Sequence, residues 1–294
     1  MSTSELPIRI IGERINPGFK STKTLFDNED IAGILALAVR QAEAGAAWLN
    51  VNIGARALTN PAWMARIIRA IQEVVDVPLS FDFPSRKVQE ACLQAYDAAK
   101  AGGRLPIVNS ITEQRWDLMD LHGEHRFKVI LMASERVEDG VAKGNKTDDD
   151  IHATARRGAL RLMNDYGMAA DDIFIDMSVS AIIADTEGLN RSTVSAIRRI
   201  GSDPELRGVH MMGGLSNIGQ QLPPKAVDGS ELKHALECAF LTLTVPLGFD
   251  TVLGTPWREY APLPDDHYVL QTYRNFLEQT GTNALRAVRK FYRE

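Results

Sequence analysis

The sequence predicts an α/β fold, a closed (β/α)8 barrel, on three observations. Short apolar runs alternate with longer segments of helical period eight times along the 294 residues, and such alternation builds a parallel sheet with helical crossovers. The length suits one barrel, which takes about 250 residues. No strand–GxGxxG–helix fingerprint marks a dinucleotide-binding sheet, so the doubly wound alternative has less support. Without a break in composition, a low-complexity segment or a repeat, residues 1–294 read as a single domain.

The elements follow in order. Ile8–Ile11 is the first strand, and it leads into Glu13, Arg14 and Asn16 and then a loop with Pro17 and Gly18. Asp30–Gly45 has the helical period and ends on glycine, a common helix stop. Trp48–Asn52 is the second strand, with a helix over 62–75. Leu79–Asp82, entered through Pro78, is the third. The next helix spans 85–101, with Ser85 as its N-cap and Gly102 and Gly103 as its stop. Leu105–Val108 is the fourth strand, followed by a helix over 113–121, and Lys128–Met132 is the fifth. The polar stretch Ser134–Asp150 reads as one long loop, a frequent place for function. A helix at His152–Tyr166, a sixth strand at Ile173–Asp176 and a helix at Arg191–Ile200 come next. Val209–Gly213 is the seventh strand, Ser230–Thr244 a helix, and Thr251–Leu253 a weak eighth strand. Two helices close the chain, at Asp266–Thr280 and Asn283–Tyr292.

Composition narrows the function. The net charge of −5 and the lack of a long basic run argue against nucleic-acid binding as the main task. No apolar stretch reaches the roughly 18 residues of a membrane span. The N-terminus shows no charged region followed by an apolar one, so no secretory signal is expected. Cys92 and Cys238 lie far apart in helical stretches, which suits a reducing compartment without disulfides. Together these point to a cytoplasmic enzyme.

In a barrel, chemistry sits at the C-terminal ends of the strands. Here those ends carry Glu13, Arg14, Asn16, Asn50, Asn52, Asp82, Asn109, Ser110, Asp176, Ser216 and Asn217. One Asp or Asn after a strand usually makes a turn or caps a helix. Repetition at successive strand ends points to a shared site. With little histidine and no thiol cluster, the set is poor for metal binding or nucleophilic attack. It suits a polar heteroaromatic ring: a carboxylate takes two parallel hydrogen bonds from an N–C–N edge, and an amide both donates and accepts. Asn50 and Asn52 alternate along a strand and so share a face. His122 and His125 lack a third ligand and read as a solvated helix end, and Met211 and Met212 read as core. Ser134 and Ser216 have no adjacent histidine to activate them.

The segments IIGERIN (Ile10–Asn16), LNVNIG (Leu49–Gly54), FDFPS (Phe81–Ser85), IVNSITE (Ile107–Glu113), FIDMSV (Phe174–Val179) and GGLSNIGQ (Gly213–Gln220) occur in that order. In them the chain resembles the pterin-binding methyltransferases, namely the methyltetrahydrofolate:corrinoid protein methyltransferases and the folate domain of cobalamin-dependent methionine synthase. The resemblance covers residues 8–255 and leaves out the C-terminal helices of 266–292. It implies a TIM barrel, like that of dihydropteroate synthase, with the pterin ring in the C-terminal mouth. By motif position it implies that Asp82, Asn109 and Asp176 grip the pterin and that Asn217 is the catalytic hydrogen-bonding residue near N5. Asn16, Asn52 and Gln220 would border the pocket. The implied reaction moves a methyl group between N5 of tetrahydrofolate, giving or using 5-methyltetrahydrofolate, and a corrinoid. The resemblance also implies a homodimer, and the strand-end residues themselves lead us to expect no protein-bound metal.

The sequence has no Asp-x-His-x-x-Gly corrinoid pattern, so cobalamin is expected free or on a partner corrinoid protein. FDFPS departs from the family's usual Asp-Ser-Ser or Asp-Ser-Thr, so Phe83 and Pro84 are expected to reshape the pocket wall. Dihydropteroate synthase itself would show a Lys-rich loop after the seventh strand and a terminal Arg-x-His, and neither is found. A silent folate-binding partner would need the pterin grip but not Asn217.

Overall fold

The computed structural model describes residues 6–293. The strands are β1 (Arg9–Ile15), β2 (Trp48–Val51), β3 (Leu79–Asp82), β4 (Ile107–Ile111), β5 (Lys128–Met132), β6 (Glu135–Glu138), β7 (Val141–Gly144), β8 (Ile173–Asp176), β9 (His210–Gly214) and β10 (Phe249–Gly254). Eight of them close a parallel barrel in the order β1-β10-β9-β8-β5-β4-β3-β2, as the alternation predicts. The α-helices are α1 (Lys20–Asp27), α2 (Ile31–Glu43), α3 (Arg56–Thr59), α4 (Pro61–Gln72), α5 (Arg86–Ala95), α6 (Asp148–Tyr166), α7 (Leu189–Ser202), α8 (Leu232–Thr244), α9 (Tyr268–Leu277) and α10 (Gly281–Lys290).

Several expectations need correction. The first strand does not stop at Ile11; it runs on to Ile15 with a register shift between Gly12 and Ile15. Polar side chains at Glu13 and Arg14 end the apolar run there, although the backbone stays in the sheet. The stretch from Ser134 to Asp150 is not one loop. It holds the antiparallel β6–β7 hairpin, whose turn residues Asp139 and Gly140 have φ of 53° and 77°, and the first turn of α6. Thr147 caps α6, accepting from the Asp150 amide at 3.1 Å, and three aspartates in its first turn suit the positive end of the helix dipole. The helix expected over 85–101 breaks at Tyr96, and Ser85 takes the N-cap place without a side-chain bond. The segment read as a helix over 113–121 is a 3-10 helix at Trp116–Gly123. In it His122 is buried, edge-on to Phe127 at 5.0 Å between ring centroids, and is not a solvated end.

Two cores result. Ile11, Ile107, Ile130, Phe174 and Met212 fill the barrel interior, with Trp48 and Leu253 packed against them. A larger core lies between strands and helices and includes Met211, Cys92 and Cys238. Below the interior layer, at the N-terminal ends of the strands, charges pair with one another. Asp250 Oδ2 accepts from Arg9 Nη2 at 2.9 Å and faces His210 Nδ1 at 2.7 Å. His210 Nε2 faces Asp171 Oδ1 at 3.0 Å, and Lys128 Nζ reaches Asp171 at 2.8 Å and Asp172 at 2.9 Å. Among the described residues, no helix is long and apolar enough to cross a membrane.

Candidate active site

Side chains alternate along a strand, so the residue two positions beyond each interior apolar residue also faces inward, one layer nearer the mouth. From Ile11, Trp48, Ile107, Ile130, Phe174, Met212 and Leu253 this step leads to Glu13, Asn50, Asn109, Met132, Asp176, Gly214 and Thr255. The layer above the apolar plug is therefore polar on most strands, Met132 and Gly214 being the exceptions.

Four hydrogen bonds join one side of it. Asn50 Nδ2 donates to Asp82 Oδ2 at 3.0 Å, and Asn52 Nδ2 donates to the same oxygen at 3.2 Å. Ser80 Oγ and Asn109 Nδ2 both donate to Asn50 Oδ1, at 3.1 and 3.4 Å. Asn50, only 1% exposed, is the hub of this network. Both amides hold Asp82 by Oδ2, and Oδ1 has no donor among the described residues. The turn after Asp82 is fastened from α5: buried Gln89 donates through Nε2 to the carbonyls of Phe81 and Phe83, each at 2.8 Å. Phe83 packs against the outer core and Pro84 is exposed, so the FDFPS change sits on the supporting turn.

Asp176 ends β8. Its Oδ1 accepts from the Ser178 amide at 2.8 Å, in a turn where Ser178 has φ of 49°. Burial pushes its carboxyl up to about 6; the Ser178 N–H opposes the shift and the charge of Asp82 adds to it. Asn217 lies on the 3-10 turn Leu215–Asn217 just beyond β9. Gln220 Nε2 donates to Asn217 Oδ1 at 2.7 Å, which orients the amide. A Cβ on Gly214 would stand 3.0 Å from Asn217 Nδ2, so glycine there gives the amide room to lie over the strand end. Asn16 behaves differently: its Oδ1 accepts from the Gly18 amide at 2.8 Å and is engaged in a turn. Asn52 does both, accepting from the Gly54 amide at 2.7 Å while holding Asp82.

Two more mouth residues have no role assigned from the sequence, Glu13 among the polar strand ends and Arg115 outside them. Glu13, 6% exposed, accepts Ser216 Oγ at 3.0 Å and Thr255 Oγ1 at 3.1 Å. Burial pushes its carboxyl up to about 7 against the pull of those two hydroxyls. Arg115 donates through Nη2 to Ser110 Oγ at 3.1 Å, and its buried Nε has no partner. Arg115 forms no ion pair among the described residues. Nor is any group of three or more His, Cys, Asp or Glu arranged there to hold a metal ion.

The sequence model of the pterin binding enzyme family matches residues 13–253. The chain belongs to the pterin-binding enzyme family. The match spans β1 to β10 and thus every mouth residue named above except Thr255. The chain is also similar to the methylcorrinoid:tetrahydrofolate methyltransferase of Eubacterium limosum, 26% identical over 258 residues, 84% of each protein. Solved structures with the same fold include dihydropteroate synthase of Thermus thermophilus, at 16% identity and a TM-score of 0.58, covering 86% of this chain and 90% of that one. Dihydropteroate synthase of Xanthomonas albilineans is another, at 19% identity and a TM-score of 0.55, covering 86% and 88%. At such identities these family members share the barrel, and the likeness carries no reaction.

Proposed function

We propose that this pterin-binding enzyme is a methyltransferase that moves a methyl group between a corrinoid and N5 of tetrahydrofolate. The observation that carries the reading is the Asn217 amide, oriented by Gln220 at the rim of a mouth whose opposite side is the Asp82–Asn50–Asn109 network. The E. limosum relative carries this activity in its name and supports the same direction, from methylcorrinoid to tetrahydrofolate.

The pterin presents an N–C–N edge rich in donors. Asp82 Oδ1 and the carboxylate of Asp176 accept from it, Asn50 and Asn52 hold Asp82 by its other oxygen, and Asn109, bonded to Asn50, completes the grip on the ring. A methylated corrinoid, free or on a partner protein, supplies the methyl group as a cation equivalent. As N5 takes the methyl group it gains positive charge, and its N–H becomes a stronger donor. Asn217 Oδ1, with one lone pair still open beside Gln220, accepts that hydrogen more strongly in the transition state than in the ground state, which lowers the barrier. An amide is no base, so the proton then leaves to solvent. A homodimer and a cytoplasmic setting belong to the same reading.

Anaerobic mixing of the protein with tetrahydrofolate and methylcobalamin tests it. The reading predicts loss of the methylcobalamin spectrum and growth of cob(I)alamin. Tight pterin binding with no transfer, from either free or protein-bound methylcorrinoid, would replace it with a silent binder.

A further inference from the structure

Glu13 has no task in the pterin grip, yet it is buried in the mouth at a meeting of three strands. It stands on the inward side of β1, where the register against β2 shifts. Its Oε2 accepts the Ser216 hydroxyl from the exit of β9, and its Oε1 accepts the Thr255 hydroxyl from the exit of β10. Thr255 is held in turn, its amide donating to Tyr260 Oη at 3.2 Å. Ser216 precedes Asn217 on the same 3-10 turn. That turn is thus fastened twice, at Ser216 by Glu13 and at Asn217 by Gln220.

We propose that Glu13 is a positioning residue for methyl transfer, which through Ser216 fixes the turn that aims the Asn217 amide at N5. The proposal rests on the methyltransferase reading of the site. An ionised carboxyl accepts both hydroxyls at once, whereas a protonated one must donate a hydrogen, and one hydroxyl has to reverse its role or leave. The surroundings place that change in the neutral range. No cation pairs with Glu13 among the described residues. Arg14 beside it on β1 turns to Ser21 and lies over Phe19, its guanidinium 4.0 Å from the ring centroid. From α8 the carboxyl of Glu237 faces it, already bound to Arg258 at 3.2 Å, and from the segment after β10 comes Tyr260. Burial therefore dominates, and the group titrates at about 7. The turn is best held with Glu13 ionised, so transfer gains from Glu13 as pH rises through that value.

Glu13→Gln in the full chain tests the proposal, with single-turnover transfer between methylcobalamin and tetrahydrofolate and pterin affinity by calorimetry. The expected result is an unchanged pterin dissociation constant and a transfer rate lowered roughly 10- to 100-fold, the scale of a small misplacement at a reacting centre. The ionisation near pH 7 should vanish from the rate profile. Ser216→Ala should lose a similar factor, and the double variant no more than either single one, because one tether is cut twice. Ser216→Ala keeps the carboxyl and carries the test if Glu13→Gln does not fold. Wild-type rate and pH profile in Glu13→Gln, or losses that multiply in the double variant, would overturn the proposal alone. A wild-type protein that transfers no methyl group would overturn the methyltransferase reading, and this proposal with it.

Discussion

At the floor of the barrel, Arg9, Lys128, His210, Asp171, Asp172 and Asp250 satisfy one another; at the mouth, Glu13, Asp82 and Asp176 have no cation against them among the described residues. The contrast shows in the acidities. At the floor, the Lys128 ammonium on Asp171 holds that carboxyl below its usual value. Burial would raise Asp250, but His210 and Arg9 outweigh it and the net shift is downward. At the mouth, burial wins, and Asp176 and Glu13 rise to about 6 and 7. The barrel thus has one end where charges pair and another where buried carboxyls meet only neutral donors. A floor of paired charges stabilises the fold, and a mouth of open valences waits for a ligand to complete it.

The largest effect that would sharpen this contrast is on binding. Asp176→Ala should weaken pterin binding by about 1.5–3 kcal/mol, the range for hydrogen bonds to a charged group, without loss of fold stability. Unchanged affinity by calorimetry would remove Asp176 from the site. The mirror experiment is His210→Ala, which leaves Asp250 and Asp171 short of a partner. It should lower unfolding free energy in urea by about 1–3 kcal/mol and leave pterin affinity unchanged. A loss of affinity there would break the separation between the two ends.

Stability against pH should carry opposite signs from the two ends. Floor carboxylates with lowered values contribute stability above their unfolded value near 3.8, and that contribution is lost as pH falls through the folded value. Mouth carboxyls with raised values favour the protonated native state, so their contribution is lost as pH rises from about 4 to about 7. Asp176→Asn with Glu13→Gln should flatten the decline over that window; an unchanged slope would mean these carboxyls are not buried as described. The smallest effect expected is that of Asn50→Ala, about 1 kcal/mol in pterin binding, since Asn52 still holds Asp82. A loss as large as that of Asp176→Ala would make Asn50 a direct ligand and not a support.

The barrel was legible because each strand carries a short continuous apolar run, buried on both faces, and each helix a 3.6-residue period. Asp82, Asn109 and Asp176 were legible because each follows such a run directly. Glu13 was visible but undervalued: the sequence places it after the first strand, and only the pairing of β1 with β2 and β10 shows it inside the mouth. Arg115 sits on an aperiodic turn with nothing in its neighbours to single it out. The β6–β7 hairpin escaped because its short strands are charged and bury no face, leaving no period to read. The floor network comes from distant parts of the chain, and only closure of the barrel brings them together.

The central claim is that the mouth acts on the transition state and does not merely hold a pterin. The most direct measurement compares two losses in Asn217→Ala, the single-turnover rate of methyl transfer and the pterin dissociation constant. The account predicts a rate lower by about 100-fold, the cost of deleting one preorganised hydrogen bond at developing charge, with affinity close to the wild type. Equal losses in rate and affinity would contradict it.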